Sequence, residues 1–296
     1  MNRTKIVCTI GPRTANPVLL RQLVDAGMGI ARLNGSHADL DWHARTIRLL
    51  CETAPGVPVL LDIPGRKIRT ANLAHEPSFD TGATIVLTTD TAHDGREKVP
   101  VNSDTLHADL RPGDTILADD GTLRFTVLRV DGRDIHCRAE TSGTLRSRKG
   151  INVPHVKLQS QLVTAHDRQM IEFARVSGVD FVGISFVDSA EHVNAIRALT
   201  DGGWPRIVAK IENQGGLDRV EEIVEATDAV MIDRGDLSVE TNPESLSLFQ
   251  KRIIAVAREH GRPVIVATEM LHTMIANPFP TKAEISDITN AVLDGC

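Results

Sequence analysis

Lys210 and Glu212 stand two residues apart where the short apolar run Ile207–Ala209 ends, and a second carboxylate, Asp236, follows the next apolar run, Ala229–Ile232. Side chains alternate along a strand, so Lys210 and Glu212 project from one side. Two carboxylates delivered by neighbouring strand ends suit Mg²⁺, which takes one or two from protein and leaves its other positions to water and phosphate. A lysine beside them could neutralise a transferring phosphoryl group. A strand-end ion pair followed by a Gly-Asp turn accounts for any one of these residues alone. The ordered set Lys210, Glu212, Gly235, Asp236 points instead to metal-assisted phosphoryl chemistry.

The elements that must position these residues repeat a strand–helix rhythm. Strands are expected over Lys5–Ile10, Gly29–Leu33, Val57–Ile63, Asp180–Phe186, Ile207–Ala209, Ala229–Ile232 and Pro263–Ala267. Helices are expected over Val18–Ala26, His43–Glu52, Asp167–Ser177, Glu191–Leu199, Leu217–Glu225 and Ser245–Glu259, with a last one opened by the capping box Thr281-Lys-Ala-Glu284. This is the signature of parallel β/α units, and in such a barrel chemistry sits where strands run into their following loops. From 71 to 151 the pattern changes to short β-branched segments separated by Asp-Gly and Pro-Gly turns, with no helical period. The expected architecture is therefore α/β, a TIM-type barrel over 1–70 and 152–296 with an inserted β lid over 71–151. Seven barrel strands can be counted, an eighth being missing.

The chain has 296 residues, 41% hydrophobic and 24% charged, with a net charge of −6. Acidic and basic residues are interspersed, so nucleic acid is not an expected partner. No apolar run approaches the ~18 residues of a membrane-spanning helix, and the N-terminus passes directly into a strand. The four cysteines are scattered without zinc or CxxC spacing, which reads as free thiols in a cytoplasmic protein.

Thr4–Pro12, Ala31-Arg-Leu-Asn34 with Ser36-His37, Asp119-Asp-Gly121, Lys149-Gly-Ile-Asn152, Ala209-Lys-Ile-Glu-Asn213, Arg234-Gly-Asp-Leu237, Ala267-Thr268 and Ala291–Gly295 resemble, in this order, the catalytic portion of the pyruvate kinase family. The resemblance implies Mg²⁺-dependent (or Mn²⁺-dependent) phosphoryl transfer between phosphoenolpyruvate and ADP, giving pyruvate and ATP in glycolysis, usually with K⁺. It implies Mg²⁺ on Glu212 and Asp236, Lys210 against the phosphoryl group, and the amides of Gly235 and Asp236 on the substrate carboxylate. Thr268 would help to deliver a proton to the enolate carbon, Arg32 would contact phosphate, and His37 and Lys149 would reach the nucleotide. Asn34, Ser36, Asp62 and the Ile63 carbonyl match the monovalent-cation site. Local roles compete for some of these: His37 as a helix cap, Arg32 paired to a nearby acid, Asn34 and Ser36 as turn residues.

The chain also departs from the family pattern. Asp233 stands where a small residue precedes Arg-Gly-Asp. A carboxylate ~4 Å from an anionic substrate would cost about 4 kcal/mol at an effective dielectric near 20, so Asp233 must turn away onto Arg234, add a metal ligand, or accompany a different substrate. Gly35 replaces a bulky apolar residue, which is expected to loosen its loop. Pro64-Gly-Arg-Lys67 replaces Lys-Gly-Pro-Glu, and a lysine at 67 is the pattern of K⁺-independent members, its ammonium standing in for the cation. The Ser-Gly-Glu-Thr motif of the eighth strand and the C-terminal domain are absent. A truncated sequence would explain these absences; a natural end there would leave an open barrel edge needing a partner, and a homo-oligomer is expected. The rival reading is the same Mg²⁺–enolate platform acting on another pyruvate-like or phosphonate acid, and a third is a catalytically silent metabolite-binding protein.

Overall fold

The computed structural model describes residues 4–156, 158, 161–200 and 202–296. Seven parallel strands lie side by side in chain order: Ile6–Thr9, Met28–Asn34, Val59–Ile63, Phe181–Ile184, Arg206–Ile211, Ala229–Asp233 and Val264–Ala267. Each is joined to the next by a helical or lid connection, the arrangement that parallel pairing demands. Val59–Ile63 and Ala229–Asp233 are buried throughout, because helices cover one face while strand side chains fill the other. Leu60, Val208, Ala229 and Met231 form a small cluster of their own, apart from the larger core formed with the helices.

Helix starts follow their capping chemistry. Asn16, Thr164 and Thr281 accept backbone N–H bonds from the first turns of the helices Pro17–Asp25, Ala165–Val176 and Lys282–Asp294. The helix after His37, Leu40–Thr53, is capped by Asp39, which accepts the Trp42 N–H. The helix expected over Leu217–Glu225 is two, Gln214–Asp218 and Val220–Ala226, divided at Arg219. A further helix, Arg234–Glu240, begins directly after the sixth strand, where a Gly-Asp turn was the local alternative.

The inserted segment builds a second sheet in the order Ile68–Arg69, Gly150–Asn152, Thr115–Ala118, Leu123–Asp131, Asp134–Ala139, Thr84–Thr88 and Val99–Pro100. It reaches back to Ile68 and on to Asn152, outside 71–151. Phe125, Leu87, Ile116 and Ile135 centre its own apolar core. It also contains one helical turn, Leu106–Asp109, that its strand-like patterning did not announce. Asp119 and Asp120, both at positive φ, turn the chain between Ala118 and Leu123.

Candidate active site at the strand ends

The side chains that the sequence singles out meet at the carboxyl ends of the barrel strands. Lys210 and Glu212 leave the end of the fifth strand, Asp233 ends the sixth, and Asp62 lies near the end of the third. Lys210 Nζ is 2.7 Å from Glu212 Oε1, 3.1 Å from Asp233 Oδ2 and 3.5 Å from Asp62 Oδ2, and it donates to Ser185 Oγ at 3.3 Å. Burial alone would lower the Lys210 pKa, but Glu212, Asp62 and Asp233 outweigh it and hold the ammonium charged.

Glu212 is fully buried and its Oε2 accepts the Phe186 N–H at 2.6 Å. Burial, with the charges of Asp233 and Asp236 beside it, pushes its pKa up to about 8 against the pull of Lys210. Asp233 moves the opposite way: burial opposes ionisation, but Lys210 and a hydrogen bond with Glu212 hold it below the usual range. Asp233 thus points inward to Lys210 and not onto Arg234, whose guanidinium binds Asp287 at 2.8 Å and the Thr268 carbonyl at 2.8 Å.

Ligand oxygens of Glu212, Asp233 and Asp236 all lie within 4.8 Å of one another. Such an all-oxygen set fits Mg²⁺ or Mn²⁺. A cation already sits there in the form of Lys67, whose Nζ is 2.6 Å from both oxygens of Asp236 and 5.3 Å from the Phe186 ring centroid. The lysine expected to stand in for a monovalent cation thus pairs with Asp236, and it lines one cavity with Ser36. Asp62 is met instead by Lys210 and by Arg32, which donates to Asp62 Oδ2 from Nε at 2.8 Å and from its NH2 nitrogen at 2.6 Å. The local alternative for Arg32, pairing with an acid, is realised, and its third contact is Thr9 Oγ1 at 3.1 Å.

The other expected cation ligands stay close in the chain. Asn34 Oδ1 accepts the Ser36 N–H at 3.1 Å, a turn bond, and Ile63 ends the third strand opposite Ile184. Gly35 does not loosen this loop: an added Cβ would collide with the Asp62 carbonyl and the Met170 methyl, so those atoms already fill the space of a larger side chain. Thr268, at φ +71°, donates to the Ala267 carbonyl and accepts the Gly235 N–H at 2.7 Å. That bond engages one of the two amides assigned to the substrate carboxylate.

The inserted sheet approaches the helix that follows Asp233. A Cβ added at Gly121 would meet Val239, and Lys149 pairs with Asp119 at 2.7 Å. Burial first, then the charges of Arg69, Arg148 and Lys67, lower the pKa of His37. A cavity of about 680 Å³ beside it is lined by Ser36, Gly65, Lys67, Arg69, Asn102 and Thr164.

Three residues at the site were not foreseen. Ser185 follows the fourth strand and reaches Lys210, while Asn152 donates to the buried Glu240 at 2.7 Å and ties the lid to the helix after Asp233. Burial and the neighbouring Asp236 push Glu240 up to about 7. No spacing links Asn152 to Glu240; only the fold brings them together.

Fold and site together define a β/α-barrel protein with an inserted lid and a lysine–carboxylate centre at the strand ends. The model of the pyruvate kinase barrel domain matches residues 1–296. A pyruvate kinase of Clostridium perfringens is 40% identical over all of this chain and 64% of its own length, and one of Sporosarcina psychrophila is 41% identical over all of this chain and 52% of its own. A pyruvate kinase of Corynebacterium efficiens is 39% identical over 99% of this chain. The chain belongs to the pyruvate kinase family. It spans about half to two-thirds of the length of these relatives.

Proposed function

We propose that the chain carries a pyruvate kinase-like phosphotransferase centre, moving a phosphoryl group between phosphoenolpyruvate and ADP. The observation that carries this reading is the convergence of Lys210, Glu212 and Asp236 beneath the lid, with Thr268 on the adjoining strand end. Glu212 and Asp236 would hold Mg²⁺ or Mn²⁺. When bound, the ion supplies charge neutralisation for the substrate carboxylate, enolate oxygen and phosphoryl oxygens.

Lys210 faces the charge that spreads over the equatorial oxygens of the transferring group, and its carboxylate ring keeps it charged throughout. Arg32, fixed at its Nε side by Asp62, can turn a guanidinium edge to phosphate. Thr268 Oγ1 is anchored by Gly235 N–H and Ala267 O. It therefore holds a proton at a fixed point beside the strand ends, from which a water can carry it to the enolate carbon. Lys149 and His37 lie at the lid opening, where a nucleotide would enter. The domain division at the lid and the role of each of these residues are part of this proposal.

Asp233 favours a second reading. A carboxylate 3.1 Å from Lys210 lowers the net positive charge offered to a trianionic substrate, which suits a less charged pyruvate-like or phosphonate acid on the same metal–enolate platform. A lactate-dehydrogenase-coupled assay with phosphoenolpyruvate and ADP separates the two. Turnover supports the first. Proton exchange on pyruvate without ADP turnover supports the second.

A further inference from the structure

The sixth strand places Asp233 where its two oxygens serve different neighbours. Oδ2 contacts Lys210 at 3.1 Å, while Oδ1 lies 3.7 Å from where a Cβ on Gly235 would stand, on the side leading to Asp236. The residue is only 6% exposed, and its contact with Lys210 turns it into the barrel mouth. The cluster with Glu212 and Asp236 draws cations already. Two ammonium groups, Lys67 and Lys210, sit 2.6 to 3.1 Å from its carboxylates, and the fully buried Glu212 Oε1 faces Lys210 without accepting a hydrogen bond.

We propose that Asp233 is a third carboxylate donor to the divalent cation, so that this chain captures the cation before its acid substrate arrives. The proposal rests on the reading that Glu212 and Asp236 hold that cation. A centre with two carboxylates leaves several positions to the substrate's own oxygens, which makes metal and substrate binding interdependent. A third carboxylate raises the formal charge and the donor count of the empty centre, the two quantities that set affinity for hard cations. The acid substrate then has fewer coordination positions to fill and needs less negative charge to fill them. The competing role for Asp233 is that of a counter-ion to Lys210 alone. In that case removing Asp233 takes no donor from the ion: affinity falls only through the lost charge and the closer pairing of Lys210 with Glu212, and the number of waters on the bound ion stays the same.

Electron paramagnetic resonance titration of the full chain with Mn²⁺, without acid substrate, decides between them. Asp233→Ala and Asp233→Asn are each expected to weaken Mn²⁺ binding at least tenfold, and saturating phosphoenolpyruvate to narrow the gap to the unsubstituted protein. Asp233→Asn keeps the size of the side chain and carries the test if Asp233→Ala unfolds, which circular dichroism reveals. Unchanged or tighter Mn²⁺ binding in the folded Asp233 variants, or weaker binding with no added water on the bound Mn²⁺ by water-proton relaxation, overturns the proposal. Glu212→Gln serves as the reference: if it weakens Mn²⁺ binding and the Asp233 variants do not, only the role of Asp233 fails. If neither has any effect, the cation centre itself fails.

Discussion

Lys67 Nζ lies 2.6 Å from both carboxylate oxygens of Asp236, across a separation of 169 residues. The contact joins the segment after the third strand, where the chain leaves for the lid, to the first turn of the helix Arg234–Glu240. A lysine fixed at this point brings permanent positive charge to a pocket that already holds Asp62, Glu212, Asp233 and Asp236. Phosphotransfer activity is therefore expected to be nearly insensitive to K⁺, and Lys67→Glu is expected to make it K⁺-dependent. Titrating KCl against tetramethylammonium chloride keeps ionic strength and screening constant. Strong K⁺ activation of the unsubstituted protein would refute the role given to Lys67.

The cation centre predicts a parallel loss from two elements. Glu212→Gln and Asp236→Asn should each weaken Mn²⁺ binding by an order of magnitude or more while thermal unfolding stays cooperative. Asp236→Asn also releases Lys67, so its loss is expected to be the smaller where Lys67 competes with the metal. Equal Mn²⁺ affinity in both variants and the parent would remove the assignment.

Lys149 is held by Asp119 within the lid, 2.7 Å away. Nucleotide phosphate would have to draw it from that partner. Lys149→Ala should raise the KM for ADP at least tenfold and change that for the acid substrate little. Asp119→Asn frees Lys149 and should lower the KM for ADP. Initial-rate measurements over both substrates give the comparison, and equal changes for both substrates would place Lys149 outside the nucleotide path.

Glu240 gives the pH prediction. Its pKa is raised from 4.5 to about 7, by burial first and then by Asp236, against the opposing hydrogen bond from Asn152 and the charge of Lys67. Below the unfolded-state value both states hold the proton and nothing is lost. As pH rises from 4.5 towards 7 the unfolded chain releases its proton while the folded chain keeps it, so stability falls through that window and then levels. The shift corresponds to about 3 kcal/mol at most. Glu240→Gln keeps an acceptor for Asn152 and should flatten this part of the profile. Urea unfolding at pH 5 and pH 7.5 measures it. An unaltered difference between the two pH values in Glu240→Gln would show that the loss arises elsewhere.

The barrel rhythm was legible along the chain, because buried parallel strands must be continuous apolar runs and their helices carry caps such as Asn16, Thr164 and Thr281. Which side chains could do chemistry was legible too. Lys210 and Glu212 share a face through strand alternation alone, and Asp236 follows the next run at a fixed interval. The break at Arg219 and the helical turn at Leu106–Asp109 were not legible, since short helices are set by packing more than by local preference. Pairing across the centre was decided only by tertiary structure. Whether Asp233 faced Lys210 or Arg234, whether Lys67 sat on Asp236 or beside Asp62, and whether Asn152 reached Glu240 depended on contacts 23 to 169 residues apart in the chain. Charge attraction falls off with distance in space and is indifferent to distance in sequence. Partners are chosen by which strand ends the barrel brings together, and no spacing rule along the chain carries that information.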